Sequence, residues 1–62
     1  MTVEQYIARY NLYRADIEVV NLDGELIARS NGRIIPGTVL NRLVFRYDLI
    51  GGRNVFTVVG GA

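Results

Sequence analysis

The side chains that could do chemistry in this chain are arginines, carboxylates and a few hydroxyls. Its 62 residues include seven cationic side chains, all arginine, and six carboxylates, but no histidine, cysteine or lysine. Histidine is the usual general base near neutral pH, cysteine the usual thiol nucleophile and soft metal ligand, and lysine the residue that forms Schiff bases. The composition therefore argues against the common catalytic classes and predicts that the protein is not an enzyme.

The remaining reactive groups lack partners that would activate them. The aliphatic hydroxyls belong to Thr2, Ser30, Thr38 and Thr57, and no histidine or lysine is present to take a proton from them. The carboxylates belong to Glu4, Asp16, Glu18, Asp23, Glu25 and Asp48, and we interpret them as solvated or structural groups. The spacing around Asp23 lacks the repeated oxygen ligands of a calcium loop. We predict no cofactor, no metal and no small-molecule substrate.

Charge offers two ways to bind a partner. Gly51, Gly52 and Arg53 could present N–H groups and a guanidinium to an anion, but hairpin turns use the same residues for conformational reasons and no helix follows to complete a phosphate loop. Five arginines come from the β-rich part of the chain: Arg29, Arg33, Arg42, Arg46 and Arg53. On one exposed sheet face they would form a groove for a single nucleic-acid strand. An arginine-based nucleic-acid-binding protein is therefore the alternative function.

The N-terminal segment has the pattern of an amphipathic helix. Thr2 and Gln5 have the spacing of a capping box. The apolar residues that follow at helical intervals, on one face, are Val3, Tyr6, Ile7, Tyr10 and Tyr13. We expect this stripe to be core, with Leu12 outside it, and the helix to end near Arg14 or Ala15.

The rest of the chain has the pattern of two hairpins. The first consists of Ile17–Val20 and residues 25–28, joined by a turn over residues 21–24 in which Gly24 is free to take a positive φ. Asn31 and Gly32 then either close another tight hairpin onto residues 33–35 or end the strand. For residues 36–42 we favour a short helical turn over a strand, because Pro36 breaks the strand pattern.

The C-terminal hairpin alternates apolar and polar residues over 43–50, turns over 51–54 and returns over 55–59. A two-residue loop pairs Tyr47 with Phe56 and Phe45 with Val58, whereas a four-residue loop pairs Leu49 with Phe56. Residues 60–62 are expected to be a frayed end.

Together these elements predict one α+β domain over residues 1–62, with an N-terminal helix packed on an antiparallel sheet of about four strands in two hairpins. Half of the residues are hydrophobic, which is more than such a small domain easily hides. One helix covers one sheet face, and the residues left for the opposite face are Val44, Ile50, Val55 and Val59. We therefore expect a protein interface there, with residues 55–59 as an exposed edge and a homodimer or another protein as the partner.

Nothing in the sequence indicates a membrane partner. The longest apolar runs are far shorter than the roughly 20 residues that span a bilayer. Residues 1–4 lack the basic start of a secretory signal. We expect a cytoplasmic protein.

The chain resembles small uncharacterised proteins of bacterial phages and mobile elements. The residues that carry the resemblance lie between 17 and 59: a strand, an Asp-Gly turn, a strand, and then Ile35-Pro36-Gly37-Thr38-Val39-Leu40-Asn41-Arg42 leading into a last hairpin. The pattern departs at Gly37, where such proteins more often carry an acidic helix former. The resemblance implies a context in which short proteins bind and block a larger machine, and it carries over no functional residue. The sequence thus predicts a non-enzymatic interaction protein, either a self-associating accessory factor or an inhibitor that binds a larger protein machine.

Overall fold

The computed structural model describes residues 1–30 and 35–59, and this part of the chain forms two helices and one four-stranded sheet. In chain order the elements are α1 (Val3–Tyr10), β1 (Ile17–Val20), β2 (Leu26–Ser30), α2 (Gly37–Leu40), β3 (Val44–Ile50) and β4 (Arg53–Val58). The predicted α+β class, with an N-terminal helix and two hairpins, is confirmed.

The two hairpins are joined by a parallel pair of strands. β1 pairs with β2 and β3 pairs with β4 in antiparallel orientation, but β1 pairs with β4 in parallel orientation. The sheet is therefore mixed, with the order β2-β1-β4-β3, and the expectation that it is antiparallel throughout is wrong. The expectation that residues 55–59 form an exposed edge is wrong, because β4 lies between two other strands. Among the described residues, the edge strands are β2 and β3.

α1 begins at the predicted capping box and ends earlier than predicted. The Thr2 hydroxyl accepts a hydrogen bond from the Gln5 N–H at 3.2 Å, and the Gln5 side chain accepts one from the Thr2 N–H at 2.9 Å. Asn11 ends the helix by adopting the left-handed conformation, with a φ of 53°, which asparagine tolerates better than most residues. The expected end near Arg14 or Ala15 is therefore wrong.

One hydrophobic core lies between the helices and one face of the sheet. Its buried residues are Val3, Ile7, Ile17, Val19, Ile35, Val39, Phe56 and Val58. Val19 and Phe56 are fully buried and lie side by side in the β1–β4 pair. The Tyr6 ring packs edge-on against Phe56, with 5.4 Å between the ring centroids. We call the sheet face that carries this core the helix face and the opposite one the outer face.

Only the first part of the predicted tyrosine stripe belongs to the core. Tyr10 and Tyr13 are 57% and 68% exposed, so the expectation that the whole stripe is core is wrong. Leu12, which we expected outside the stripe, is half-buried and packs against the core. The reason is the early helix end: after Asn11 the chain turns, and the N–H of Leu12 donates to the carbonyl of Ile7 at 2.9 Å.

The connections follow the predicted turn chemistry. Oδ1 of Asn21 accepts hydrogen bonds from the N–H groups of Asp23 and Glu25, both at 2.9 Å, and Gly24 has a φ of 86°. The helical turn that we favoured after Pro36 is present as α2. The predictions for Asn31 and Gly32 and for the chain end fall on residues 31–34 and 60–62, which lie outside the described residues.

Truncating α1 at two positions should distinguish its buried residues from its exposed ones. Ile7→Ala is expected to lower the free energy of unfolding by about 2 kcal/mol or more, because it leaves a cavity in the core. Tyr10→Ala is expected to cost less than about 1 kcal/mol, because the ring is mostly solvated. Urea denaturation followed by circular dichroism measures both. Equal losses for the two variants would show that the Tyr10 ring is buried.

The turn before β2 depends on the backbone freedom of Gly24. No atom lies within 4 Å of a Cβ added there, so strain at positive φ is the whole expected effect. Gly24→Val should lower the free energy of unfolding by about 1 kcal/mol or more, because a β-branched residue resists this conformation. Gly37→Ala is the matched control, since it adds a Cβ to open space without positive φ. A neutral Gly24→Val variant would contradict the turn geometry.

Candidate functional site

The strand register assigns each strand residue to a face of the sheet, because directly paired residues place their side chains on the same face. Residues paired with Val19 and Phe56 lie on the helix face. The outer face carries Glu18, Val20, Leu26, Arg29, Arg46, Asp48, Ile50, Arg53, Val55 and Thr57. Both described helices contribute their buried residues to the core on the helix face. Neither of them covers the outer face.

Glu18 is the centre of a charge cluster on the outer face. Its Oε1 accepts hydrogen bonds from Nη1 of Arg53 at 2.6 Å and from Nη2 of Arg29 at 3.0 Å. The Glu18 side chain is only 16% exposed. The hydrogen bond from Arg53, together with the charges of both arginines, lowers the pKa of Glu18 despite the opposing effect of its burial. The cluster ties β1 to both of its neighbouring strands.

The structure brings three of the five predicted nucleic-acid-binding arginines to one face. Arg29, Arg46 and Arg53 all lie on the outer face. Each is paired with a carboxylate, since Nε of Arg46 lies 2.9 Å from Oδ2 of Asp48. Of the other two, Arg42 is half-buried just before β3, and Arg33 lies outside the described residues.

The four predicted interface residues do not form one patch. Val44 pairs with Val58, so it lies on the helix face and packs half-buried against the core. The expectation that Val44 lies on the outer face is therefore wrong. Ile50 and Val55 do share the outer face as diagonal neighbours, with Ile50 61% exposed and Val55 half-buried. Val59 follows the end of β4 and is 44% exposed.

A β-bulge in β3 explains the misplacement of Val44. Val44 pairs with Val58 and Arg46 pairs with Thr57, which leaves Phe45 as an extra residue without a partner on β4. The expected pairing of Phe45 with Val58 is therefore wrong. A bulge shifts the alternation of side chains by one residue, and Phe45 is 65% exposed. The alternation of apolar and polar residues in the sequence does not indicate this bulge.

Gly51 and Gly52 form a two-residue hairpin loop. Their φ values are 57° and 80°, and two successive positive values are typical of the type I′ turn that matches the twist of a hairpin. The loop pairs Tyr47 with Phe56, which confirms the shorter of the two predicted loops. These glycines are thus used for conformation, and the guanidinium of Arg53 is bound to Glu18.

β3 presents an exposed apolar edge. Five large apolar side chains on or next to this strand are between 38% and 65% exposed: Leu43, Phe45, Tyr47, Leu49 and Ile50. The N-terminal segment pairs with the start of this edge, since Thr2 pairs with Leu43 and the N–H of Val44 donates to the carbonyl of Met1 at 2.8 Å. No strand of the described chain pairs with the remainder, residues 45–50, which we call the β3 edge.

The hairpin geometry shows which backbone groups the β3 edge exposes. Ile50 and Arg53 flank the two-residue loop, and such residues exchange both of their hydrogen bonds. Because the direction of the N–H and C=O groups alternates along a strand, those of Asp48 point to β4, whereas those of Tyr47 and Leu49 point away from the sheet. Unpaired edge groups are a template for another strand.

An aromatic cluster lies beside the β3 edge on the helix face. The Tyr47 ring centroid lies 5.2 Å from that of Phe56 and 6.1 Å from that of Tyr6, and Tyr6 is in turn 5.9 Å from Tyr10. The Tyr47 hydroxyl donates to Oδ1 of Asn54 at 2.5 Å. These contacts fix the Tyr47 ring while its backbone faces outward.

A groove of about 660 Å³ lies on another part of the surface, between the end of α1 and α2. Leu12 and Leu40 are among its lining residues, as are Ser30 and Ile35. Residues 31–34 join Ser30 to Ile35 and lie outside the described chain, so the groove does not define a binding site.

Comparison of the chain with protein-family models, curated proteins and solved structures finds no match. Neither helix of residues 1–30 and 35–59 has the length and apolar character needed to cross a membrane. The same residues contain no group of three or more side chains that could hold a metal ion. The functional assignment therefore rests on the surfaces themselves.

The ion pairs of Glu18 should make stability depend on pH. Because folding lowers the pKa of Glu18 from its ordinary value of 4.5, the carboxylate stabilises the fold above that pH, and this contribution is lost as the pH falls through the lowered value. Glu18→Gln should therefore be less stable than the parent at neutral pH, with the difference shrinking in acid. Urea midpoints measured from neutral pH down to about pH 2 test this.

The control for this variant is Glu25→Gln, because Glu25 is exposed and makes no ion pair within the described residues. Its stability relative to the parent should change little over the same range. A constant difference between Glu18→Gln and the parent at every pH would contradict the assigned role of the carboxylate.

Proposed function

We propose that this chain is a non-enzymatic interaction module that binds a protein partner through the β3 edge. The observation that supports this best is the coincidence of exposed apolar side chains and unpaired backbone groups on one strand. Proteins that act alone usually blunt such edges, and contiguous exposed apolar surface marks interaction sites. The function is that of a self-associating accessory factor or of an inhibitor of a larger protein machine.

Strand addition is the binding mode that suits this surface. A strand laid along β3 would satisfy the outward N–H and C=O groups of Tyr47 and Leu49 and cover the side chains of Phe45 and Leu49, each 65% exposed. Main-chain hydrogen bonds would supply affinity, and the alternating side chains would supply specificity.

The alternative, an arginine-based nucleic-acid-binding protein, has one observation in its favour: Arg29, Arg46 and Arg53 share the outer face. Two observations weigh against it. Glu18 and Asp48 lie among these arginines and pair with them. Tyr47 lies on the helix face and Phe56 is fully buried there, so neither ring can stack on bases beside these arginines. We therefore favour the protein partner.

The test is capture from a lysate of the native host by the immobilised chain, after nuclease treatment, followed by identification of the bound proteins. We expect the parent to retain a protein, another copy or a different chain, at high salt, and Leu49→Lys to lose it. The matched control is Leu22→Lys, because Leu22 is similarly exposed, at 57%, but lies in the turn before β2. This control should retain the protein.

The result that would contradict the proposal is equal capture by the parent and by Leu49→Lys. Binding that disappears with nuclease, or that falls steeply as salt rises from about 50 to 200 mM, would instead favour the nucleic-acid alternative, because phosphate contacts release counterions. An apolar interface is insensitive to salt over this range.

A further inference from the structure

We propose that the β3 edge binds a second copy of this chain, with the two β3 strands antiparallel about a two-fold axis at Tyr47. This inference names the partner for the surface described under the proposed function and rests on that proposal. A two-fold interface requires one surface to be complementary to itself. The order of residues along β3 meets this requirement.

The charges of β3 are self-complementary. Arg46 and Asp48 flank Tyr47 and both lie on the outer face. A two-fold axis at Tyr47 places Arg46 of each copy opposite Asp48 of the other. Opposite charges at directly paired positions stabilise neighbouring strands. Since Arg46 and Asp48 already form an ion pair within one chain, at 2.9 Å, the dimer would join two such pairs into a ring of four alternating charges.

The apolar residues match about the same axis. The axis brings Phe45 of each copy, the bulge residue, near Leu49 of the other, and each of these side chains is 65% exposed in the single chain. Tyr47 lies opposite its own copy. Because the Tyr47 ring is held against Tyr6 and Phe56, the two aromatic clusters would meet on the helix face.

The backbone groups also fit this register. The N–H and C=O of Tyr47 point outward, so Tyr47 and its copy can exchange both hydrogen bonds across the axis. The pairing ends at the bulge residue Phe45, beyond which the N–H of Val44 is already bonded to the carbonyl of Met1. Each copy therefore contributes residues 45–49.

Other arrangements lack this match. An axis at Asp48 places Asp48 opposite its own copy, and like charges at paired positions are destabilising. On the other edge strand, β2, the one charged residue is Arg29, and the nearest carboxylate in the chain, Glu25, precedes the strand. The charge pattern within the strands thus favours β3 and selects its register.

Charge reversal tests the register directly. Arg46→Asp and Asp48→Arg each place like charges opposite one another in their own homodimers, at two symmetric sites. Sedimentation equilibrium should show that each variant alone dimerises at least tenfold more weakly than the parent. An equimolar mixture of the two variants restores opposite charges at both sites. The mixture should therefore dimerise within about threefold of the parent.

Matched controls carry the same changes of charge elsewhere on the surface. Arg14→Asp and Glu25→Arg alter exposed residues outside the β3 edge and should leave dimerisation unchanged. Circular dichroism of each variant reports folding. If a single reversal prevents folding, the double variant Arg46→Asp/Asp48→Arg replaces it, because it keeps complementary charges within and between chains. The inference requires that double variant to dimerise like the parent.

A parent chain that sediments as a monomer up to about 1 mM would overturn the inference, as would a mixture that dimerises no better than its separate components. The capture experiment with Leu49→Lys tests the proposed function separately from the dimer. A monomeric parent whose Leu49→Lys variant still loses a captured protein would show that the β3 edge binds a different partner. Unchanged capture by Leu49→Lys would remove the proposed function itself.

Discussion

The parallel pairing of β1 with β4 is the interaction on which the rest of the structure depends. Each hairpin is formed by two strands joined by a short turn, but an isolated two-stranded hairpin is at best marginally stable in water. The parallel pair places Val19 beside Phe56 and buries both completely. It also brings Arg53 within 2.6 Å of Glu18. A domain of about 60 residues buries only about 60% of the surface that its unfolded chain exposes, less than a larger domain does. Few other contacts could therefore replace this one.

The same pairing determines where the surplus apolar surface lies. With β4 enclosed by β1 and β3, its apolar residues Phe56 and Val58 become core. The β3 strand is left at the edge, and its bulge leaves Phe45 exposed. The largest exposed apolar side chains beside β4 therefore lie on a strand edge. In the proposed dimer, the opposite charges of Arg46 and Asp48 favour pairing with a strand that has the reverse order.

Most of the local structure was predictable from the sequence, and the long-range strand pairing was not. The capping box at Thr2 and the positive φ of Gly24 depend on residues close in the chain, as does the two-residue hairpin loop, which was one of two predicted alternatives. The parallel β1–β4 pair depends on burial of distant residues together, which no local pattern encodes. The end of α1 was missed because Tyr13 continues the helical spacing, whereas Asn11 ends the helix. The Glu18 cluster needs that parallel pair and was therefore missed too.

The central claim is that the β3 edge is occupied by another copy of the chain. Hydrogen–deuterium exchange of individual amides, measured by NMR at increasing protein concentration, tests it most directly. The N–H groups of Tyr47 and Leu49 point away from the sheet in one chain and should become protected as dimer forms, while that of Asp48, bonded to β4, is protected throughout. Fast exchange of Tyr47 and Leu49 at every concentration, or new protection along β2 instead, would contradict the account.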